Sequence, residues 1–123
     1  KVHGGILGRT GVDDAVMSEH DMVSIDFVVV NLYPFEKTIT KPGCTDEEAI
    51  EQIDIGGPAM LRSAAKNHAR VTAVVDPANY SQVLEELRAN KNNPTTTLAF
   101  RYALAKKVFE VTSRYDAIIA SYL

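Results

Sequence analysis

Apolar residues in this chain fall into two patterns. Phe27-Val28-Val29-Val30-Asn31-Leu32-Tyr33 and Val71-Thr72-Ala73-Val74-Val75 are short, β-branched runs, the pattern of strands buried on both faces of a parallel sheet. Pro34 ends the first run. Elsewhere apolar positions recur at helical spacing. Thr45 and Glu48 form a capping box opening a helix that buries Ala49, Ile50 and Ile53. Asp76-Pro77 caps another, with Val83, Leu84 and Leu87 facing inward, and Lys91-Asn92-Asn93-Pro94 breaks it. A long helix follows from about Thr95, with Leu98, Tyr102, Ala105 and Phe109 on its inner face, running on through Ile118 and Ile119 with a bend near Ser113. Val12 to Met22 reads as a weak helix, and Glu36 to Gly43 as loop. Val2-His3-Gly4-Gly5-Ile6-Leu7 is a short apolar segment whose glycines imply tight backbone packing.

Strands separated by helices predict an α/β fold with a parallel sheet. Two strands are too few to bury the apolar faces of all these helices. The chain opens on Lys1 and stays helical in pattern to Leu123, so further strands are expected upstream, with residues 1–123 forming part of one domain. A net charge of −3 and the lack of a long basic run leave nucleic-acid binding without electrostatic support. No apolar stretch reaches membrane-spanning length, and no membrane association is expected. Cys44 is the only cysteine, so no internal disulfide can form and a reducing cytoplasm is the expected location.

The segment with chemical content is Ile53-Asp54-Ile55-Gly56-Gly57-Pro58, running into Ala59-Met60-Leu61-Arg62-Ser63-Ala64-Ala65-Lys66-Asn67. Pro58 suits a first helical turn, and the glycines let backbone amides crowd a ligand. Free amides at a helix N-terminus attract negative charge. Asp54 sits at the mouth of that turn, and Arg62 and Lys66 share one helix face. The same residues also make an ordinary loop-to-helix junction, with Lys66 favoured at a helix C-terminus by the dipole alone. Asn31 and Tyr33 have the same parity and emerge together at the C-terminal end of the first strand, where open α/β sheets bind ligands. Tyr33 is equally suited to lie as an aromatic lid over the core. His3, His20 and His68 have no carboxylate or cysteine at ligand spacing, so no metal site is expected. His68 either enters a site with Lys66 or simply closes a helix. Asn31, Tyr33, Asp54, the Gly56-Gly57 amides and Lys66 suit proton transfer and oxyanion stabilisation on an uncharged heterocycle.

Val2-His3-Gly4-Gly5-Ile6-Leu7, Val30-Asn31-Leu32-Tyr33-Pro34-Phe35, Ile53-Asp54-Ile55-Gly56-Gly57-Pro58 and Arg62-Ser63-Ala64-Ala65-Lys66-Asn67-His68 resemble the bifunctional purine-biosynthesis family. That family joins a phosphoribosyl-aminoimidazole-carboxamide formyltransferase to an IMP cyclohydrolase. The resemblance lies in the cyclohydrolase domain, whose fold is similar to methylglyoxal synthase. It implies closure of the second purine ring of a formylated ribotide, with loss of water, in a homodimeric parent.

The resemblance makes Lys66 the proton-transfer residue, with Tyr33 and Asp54 as supporting catalytic residues. Val30, Asn31, Asp54, Ile55 and Gly56 become nucleotide contacts. Pro58 to Lys66 spans about 12 Å of helix, and the lysine stem leans back, so a bicyclic heterocycle could bridge Lys66 and Asp54. The family's upstream Lys-Thr pair and phosphate-gripping loops are absent, as is the formyltransferase domain. Neither formyl transfer nor 10-formyltetrahydrofolate is therefore expected of this chain. Two alternatives stand beside a cyclohydrolase: a non-catalytic nucleotide-binding regulatory module of the same fold, and a fragment without independent activity.

Overall fold

The computed structural model describes residues 1–93 and 95–123; Pro94, part of the expected helix break, lies outside them. The order is α1 (Val2–Leu7), α2 (Asp14–Glu19), β1 (Phe27–Val29), α3 (Phe35–Ile39), α4 (Asp46–Glu51), α5 (Gly56–Lys66), β2 (Thr72–Val74), a 3₁₀ turn (Pro77–Asn79), α6 (Tyr80–Ala89) and α7 (Leu98–Tyr122). The strands pair in parallel, Val28 opposite Ala73, with α5 as the crossover between them. The α/β expectation with a parallel sheet and flanking helices holds.

One core lies between the sheet and its helices: Val28, Val71, Ala73 and Val75 pack with Leu61, Ala64 and Ala65 of α5 and with Ala105 and Val108 of α7. β2 is buried along its whole length, as its β-branched run predicts. β1 is not. Val28 alone is buried, while Phe27 and Val29 are exposed on the opposite face. β1 also ends sooner than expected, because pairing stops where the Val30 N–H reaches the Val74 carbonyl.

Other departures follow from tertiary packing. Glu36 to Gly43 is not all loop: α3 forms because Phe35 buries its ring edge-on between Tyr115 and Tyr122. The Thr45–Glu48 capping box is present with both of its bonds, at 3.2 and 3.0 Å. In the short helix it opens only Ala49 is buried, Ile53 is half-buried, and Ile50 turns to solvent. α6 lies on the surface, with Leu84 exposed and Val83 and Leu87 half-buried. α7 is continuous through Ser113, and its buried stripe is Leu104, Ala105, Val108 and Thr112. Of the expected inner face only Ala105 is buried; Leu98, Tyr102 and Phe109 are 57%, 64% and 41% exposed. The stripe read from the sequence is the flank of the real one.

The amino-terminal apolar segment is a helix, and its glycines are packed as closely as expected. A Cβ on Gly5 would run into the Val23 carbonyl. The carbonyls at the end of α1 are collected by two side chains that follow α5. Asn67 donates to the Ile6 and Gly8 carbonyls at 2.8 and 3.0 Å. Arg70 donates to the Gly5, Ile6, Gly8 and Ile25 carbonyls and to Asp26. A cation at a helix C-terminus is favoured by the dipole, and here it also satisfies carbonyls the helix leaves without partners.

Candidate active site

Beyond β1 the chain runs on through Val30 and Asn31 and brings Tyr33 beside the start of α5. Asp54 links the two. Its Oδ1 accepts the Gly57 N–H at 2.9 Å and its Oδ2 accepts the Tyr33 N–H at 3.2 Å. The first amide turn of α5 is therefore not bare, since the chain's own carboxylate caps it. Ile55 links the acid to α5 and Gly56 opens the helix, both exposed, with Asp54 half-buried. Pro58 falls in the first turn of α5, as expected. Gly57 is required by space: a Cβ there would lie 2.7 Å from Asp54 Oδ2. Around Gly56 there is open space.

Asn31 and Tyr33 are both exposed, but they stand beyond the end of β1, so loop geometry rather than strand parity places them. The Tyr33 side chain borders a cleft of about 550 Å³ whose far wall is Val111, Arg114, Tyr115 and Ile118 of α7. Tyr115, which sequence reasoning missed, closes the base of the site. Its hydroxyl accepts the Asp54 N–H at 2.9 Å and donates to the Gln52 carbonyl at 2.7 Å. Burial is the main cause that pushes the Tyr115 phenol above its ordinary range, with the Asp54 and Asp116 charges adding to it. The Asp54 amide acts in the opposite sense. No local signal marks Tyr115, because its partner is 61 residues away.

Lys66 stands elsewhere. It ends α5, exposed, and lines a groove of about 570 Å³ with His68, Tyr102 and Phe109. Arg62, on the same helix face as expected, stacks its guanidinium over Phe109 at 5.3 Å. His68 Nδ1 is 2.9 Å from the Ala65 carbonyl, which can only accept, so that nitrogen carries a hydrogen. The groove uses Ala105, Phe109 and Ser113 of α7, and the cleft uses Val111, Tyr115 and Ile118. At 3.6 residues per turn these sets occupy nearly opposite flanks of the helix. The structure thus brings Tyr33, Asp54 and the Gly56-Gly57 turn together, close after Val30 and Asn31, and sets Lys66 at the far end of α5.

Among the described residues no helix is long and apolar enough to cross a membrane, and no three His, Cys, Asp or Glu side chains group where they could hold a metal ion.

This fold has known counterparts. Residues 2–59 match the model of the MGS-like domain, and residues 64–123 match that of the AICARFT/IMPCHase bienzyme. A solved structure described as the crystal structure of ForH is 38% identical and superposes with a TM-score of 0.81 over 96% of this chain. The chain spans 61% of that protein's length. Parallel sheet, crossover helix and matched segments define an MGS-like α/β domain. More particularly, the second half of the chain is similar to the AICARFT/IMPCHase bienzyme family, and the paired matches fit the IMP cyclohydrolase domain of the bifunctional purine biosynthesis protein.

Proposed function

We propose that this chain is the part of an IMP cyclohydrolase that handles the reacting heterocycle, closing the ring of 5-formamidoimidazole-4-carboxamide ribotide. The observation that carries this reading is the Asp54 carboxylate, fixed by the Tyr33 and Gly57 amides at the end of the sheet where α/β folds bind ligands. In the reaction the carboxamide nitrogen bonds to the formyl carbon, giving up a proton as the formyl oxygen takes one. The hydroxyl so formed then leaves as water with the proton of the formamide nitrogen, and the ring C=N forms. An amide nitrogen is a weak nucleophile, so an oriented acceptor and a donor to the developing oxyanion are what the step needs. Asp54 suits the acceptor role, and the exposed Tyr33 hydroxyl and the Gly56 turn suit oxygen donors and base contacts, alongside Val30, Asn31 and Ile55.

Lys66 enters this reading as the proton-transfer residue on its motif, and its assignment carries a separate test below. Loss of water changes no oxidation state and moves no formyl group, so the step itself calls for no folate. The parent enzyme in this reading is a cytoplasmic homodimer.

The test is turnover. The complete enzyme containing this chain is given the formylated ribotide, and IMP is followed by its ultraviolet absorbance. Asp54→Asn keeps shape and loses the charge, and it is expected to lower kcat by about a hundredfold with a smaller effect on nucleotide affinity. Wild-type kcat in that variant overturns the reading.

A further inference from the structure

Asp54 is held from two directions. Its carboxylate meets the Tyr33 and Gly57 amides, and its own backbone N–H meets the Tyr115 hydroxyl. That hydroxyl has one hydrogen, committed to the Gln52 carbonyl at 2.7 Å, so toward Asp54 it can only accept. The Tyr115 ring is itself held edge-on to the buried Phe35, with centroids 6.4 Å apart. One phenol on the long helix α7 thus pins the backbone on both sides of Ile53, in the short link between α4 and the acid. An aspartate side chain has only two rotatable bonds. Rotation of its backbone therefore swings the carboxylate off the amides that fix it.

We propose that Tyr115 is a positioning residue for Asp54, setting the direction of its carboxylate during ring closure; this rests on the reading of Asp54 given above. Tyr115 acts through the Asp54 backbone and takes no proton from the substrate. Removing its hydroxyl leaves the ring against Phe35 and releases two backbone groups at once.

The test is a double-mutant cycle in the complete enzyme. Tyr115→Phe is expected to lower kcat about tenfold, the scale of a small misplacement of a reacting group, and to change KM by less than about threefold. In the Asp54→Asn background the same change is expected to cost nothing further, because a residue that acts only through the carboxylate has no carboxylate left to direct. Equal losses in both backgrounds overturn the proposal while leaving Asp54 in its role. Normal turnover by Asp54→Asn overturns both. The amide resonances of Tyr33 and Gly57 give a readout that does not depend on turnover. They are expected to move upfield in Tyr115→Phe as their bonds to the carboxylate lengthen, and unmoved signals overturn the proposal. Should Tyr115→Phe fail to fold, hydrogen exchange in the unaltered protein decides. A slowly exchanging Asp54 amide supports the bond to Tyr115, and exchange as fast as that of an exposed amide overturns it.

Discussion

The Tyr33 amide and the Asp54 carboxylate are 21 residues apart in the chain and 3.2 Å apart in space. That contact fastens the segment leaving β1 to the start of α5, and it depends on a glycine. The Asp54 carboxylate occupies the volume into which a side chain at position 57 would grow, with Cγ and Oδ1 each 2.9 Å from an ideal Cβ.

Gly57→Ala should therefore act on the site before it acts on stability. Alanine is the better helix former by about 1 kcal/mol, so helix propensity alone would favour the variant. The methyl group instead drives the carboxylate from the Gly57 and Tyr33 amides. Turnover is expected to fall at least about tenfold while the unfolding midpoint changes little. Gly56→Ala, which meets open space, should raise the midpoint. Calorimetry and steady-state kinetics on the two variants check this, and undiminished turnover in Gly57→Ala would remove the steric argument.

Lys66 requires its own test, because it lines the groove with His68 and Tyr102 and not the cleft bordered by Tyr33 and Tyr115. Lys66→Ala in the complete enzyme should abolish most ring closure and keep the fold, since an exposed side chain at a helix end carries little packing. Lys66→Arg should rescue poorly, because a guanidinium hardly releases its proton. A near-normal rate in Lys66→Ala would exclude it from the chemistry and leave it a groove residue beside His68 and Tyr102.

Arg70 is the mechanical counterpart. It is 17% exposed, pairs with Asp26 at 2.9 Å and collects the α1 carbonyls. Arg70→Met keeps the stem and strands those acceptors, so a loss of about 2–4 kcal/mol is expected in denaturant unfolding. Arg70→Lys should recover only part, lacking the planar fork. A loss within the scatter of ordinary surface variants would mean that α1 is held by packing alone.

How far the sequence foretold these relationships depended on their range. The capping box Thr45–Glu48 and the buried run Val71–Val75 were legible because their causes are local. The burial of α7 was not: Leu98, Tyr102, Ala105 and Phe109 and the true stripe Leu104, Ala105, Val108 and Thr112 are both helical in period, and only packing against the sheet selects between them. α3 escaped notice because Phe35 owes its burial to Tyr115 and Tyr122, 80 and more residues downstream. In the site, the turn Asp54-Ile55-Gly56-Gly57 was readable from its glycines. The hold of Tyr115 on Asp54 was not, because nothing in a tyrosine within a helix announces a distant backbone partner.

Tyr122 offers a pH test away from the site. Its hydroxyl donates to Asp46 at 2.6 Å, and that bond, more than burial, pushes its pKa up to about 12 from an ordinary 10.0. A folded-state pKa above the unfolded value gives a contribution fully present below about 10 and lost as pH rises through about 12. Tyr122→Phe should therefore remove one late step from the tyrosinate absorbance titration and flatten the alkaline fall in stability over that window. An unchanged titration curve would mean that the Asp46 contact is not held in solution.

The last prediction concerns the edge of β1. In a parallel pair alternate residues direct their backbone groups at the partner; here the Asp26 carbonyl accepts the Thr72 N–H and the Val30 N–H donates to the Val74 carbonyl, which turns the backbone groups of Phe27 and Val29 outward. Among the described residues no second strand meets that edge. Val29 is 54% exposed and Phe27 37%, so the unpaired backbone runs between exposed apolar side chains of the same strand, a template for pairing with another chain. The 123-residue chain made alone is therefore expected to self-associate, with a mean mass in analytical ultracentrifugation that rises with concentration. Val29→Lys places a charge on the exposed side of β1 without touching the core, and it should return the chain to a monomer at the same concentration. Because Val28, not Val29, packs into the core, that substitution should leave the unfolding midpoint nearly unchanged. Monomeric behaviour of the unsubstituted chain across the accessible concentration range would show that this edge is protected in solution and that the exposed face of β1 is not an association surface.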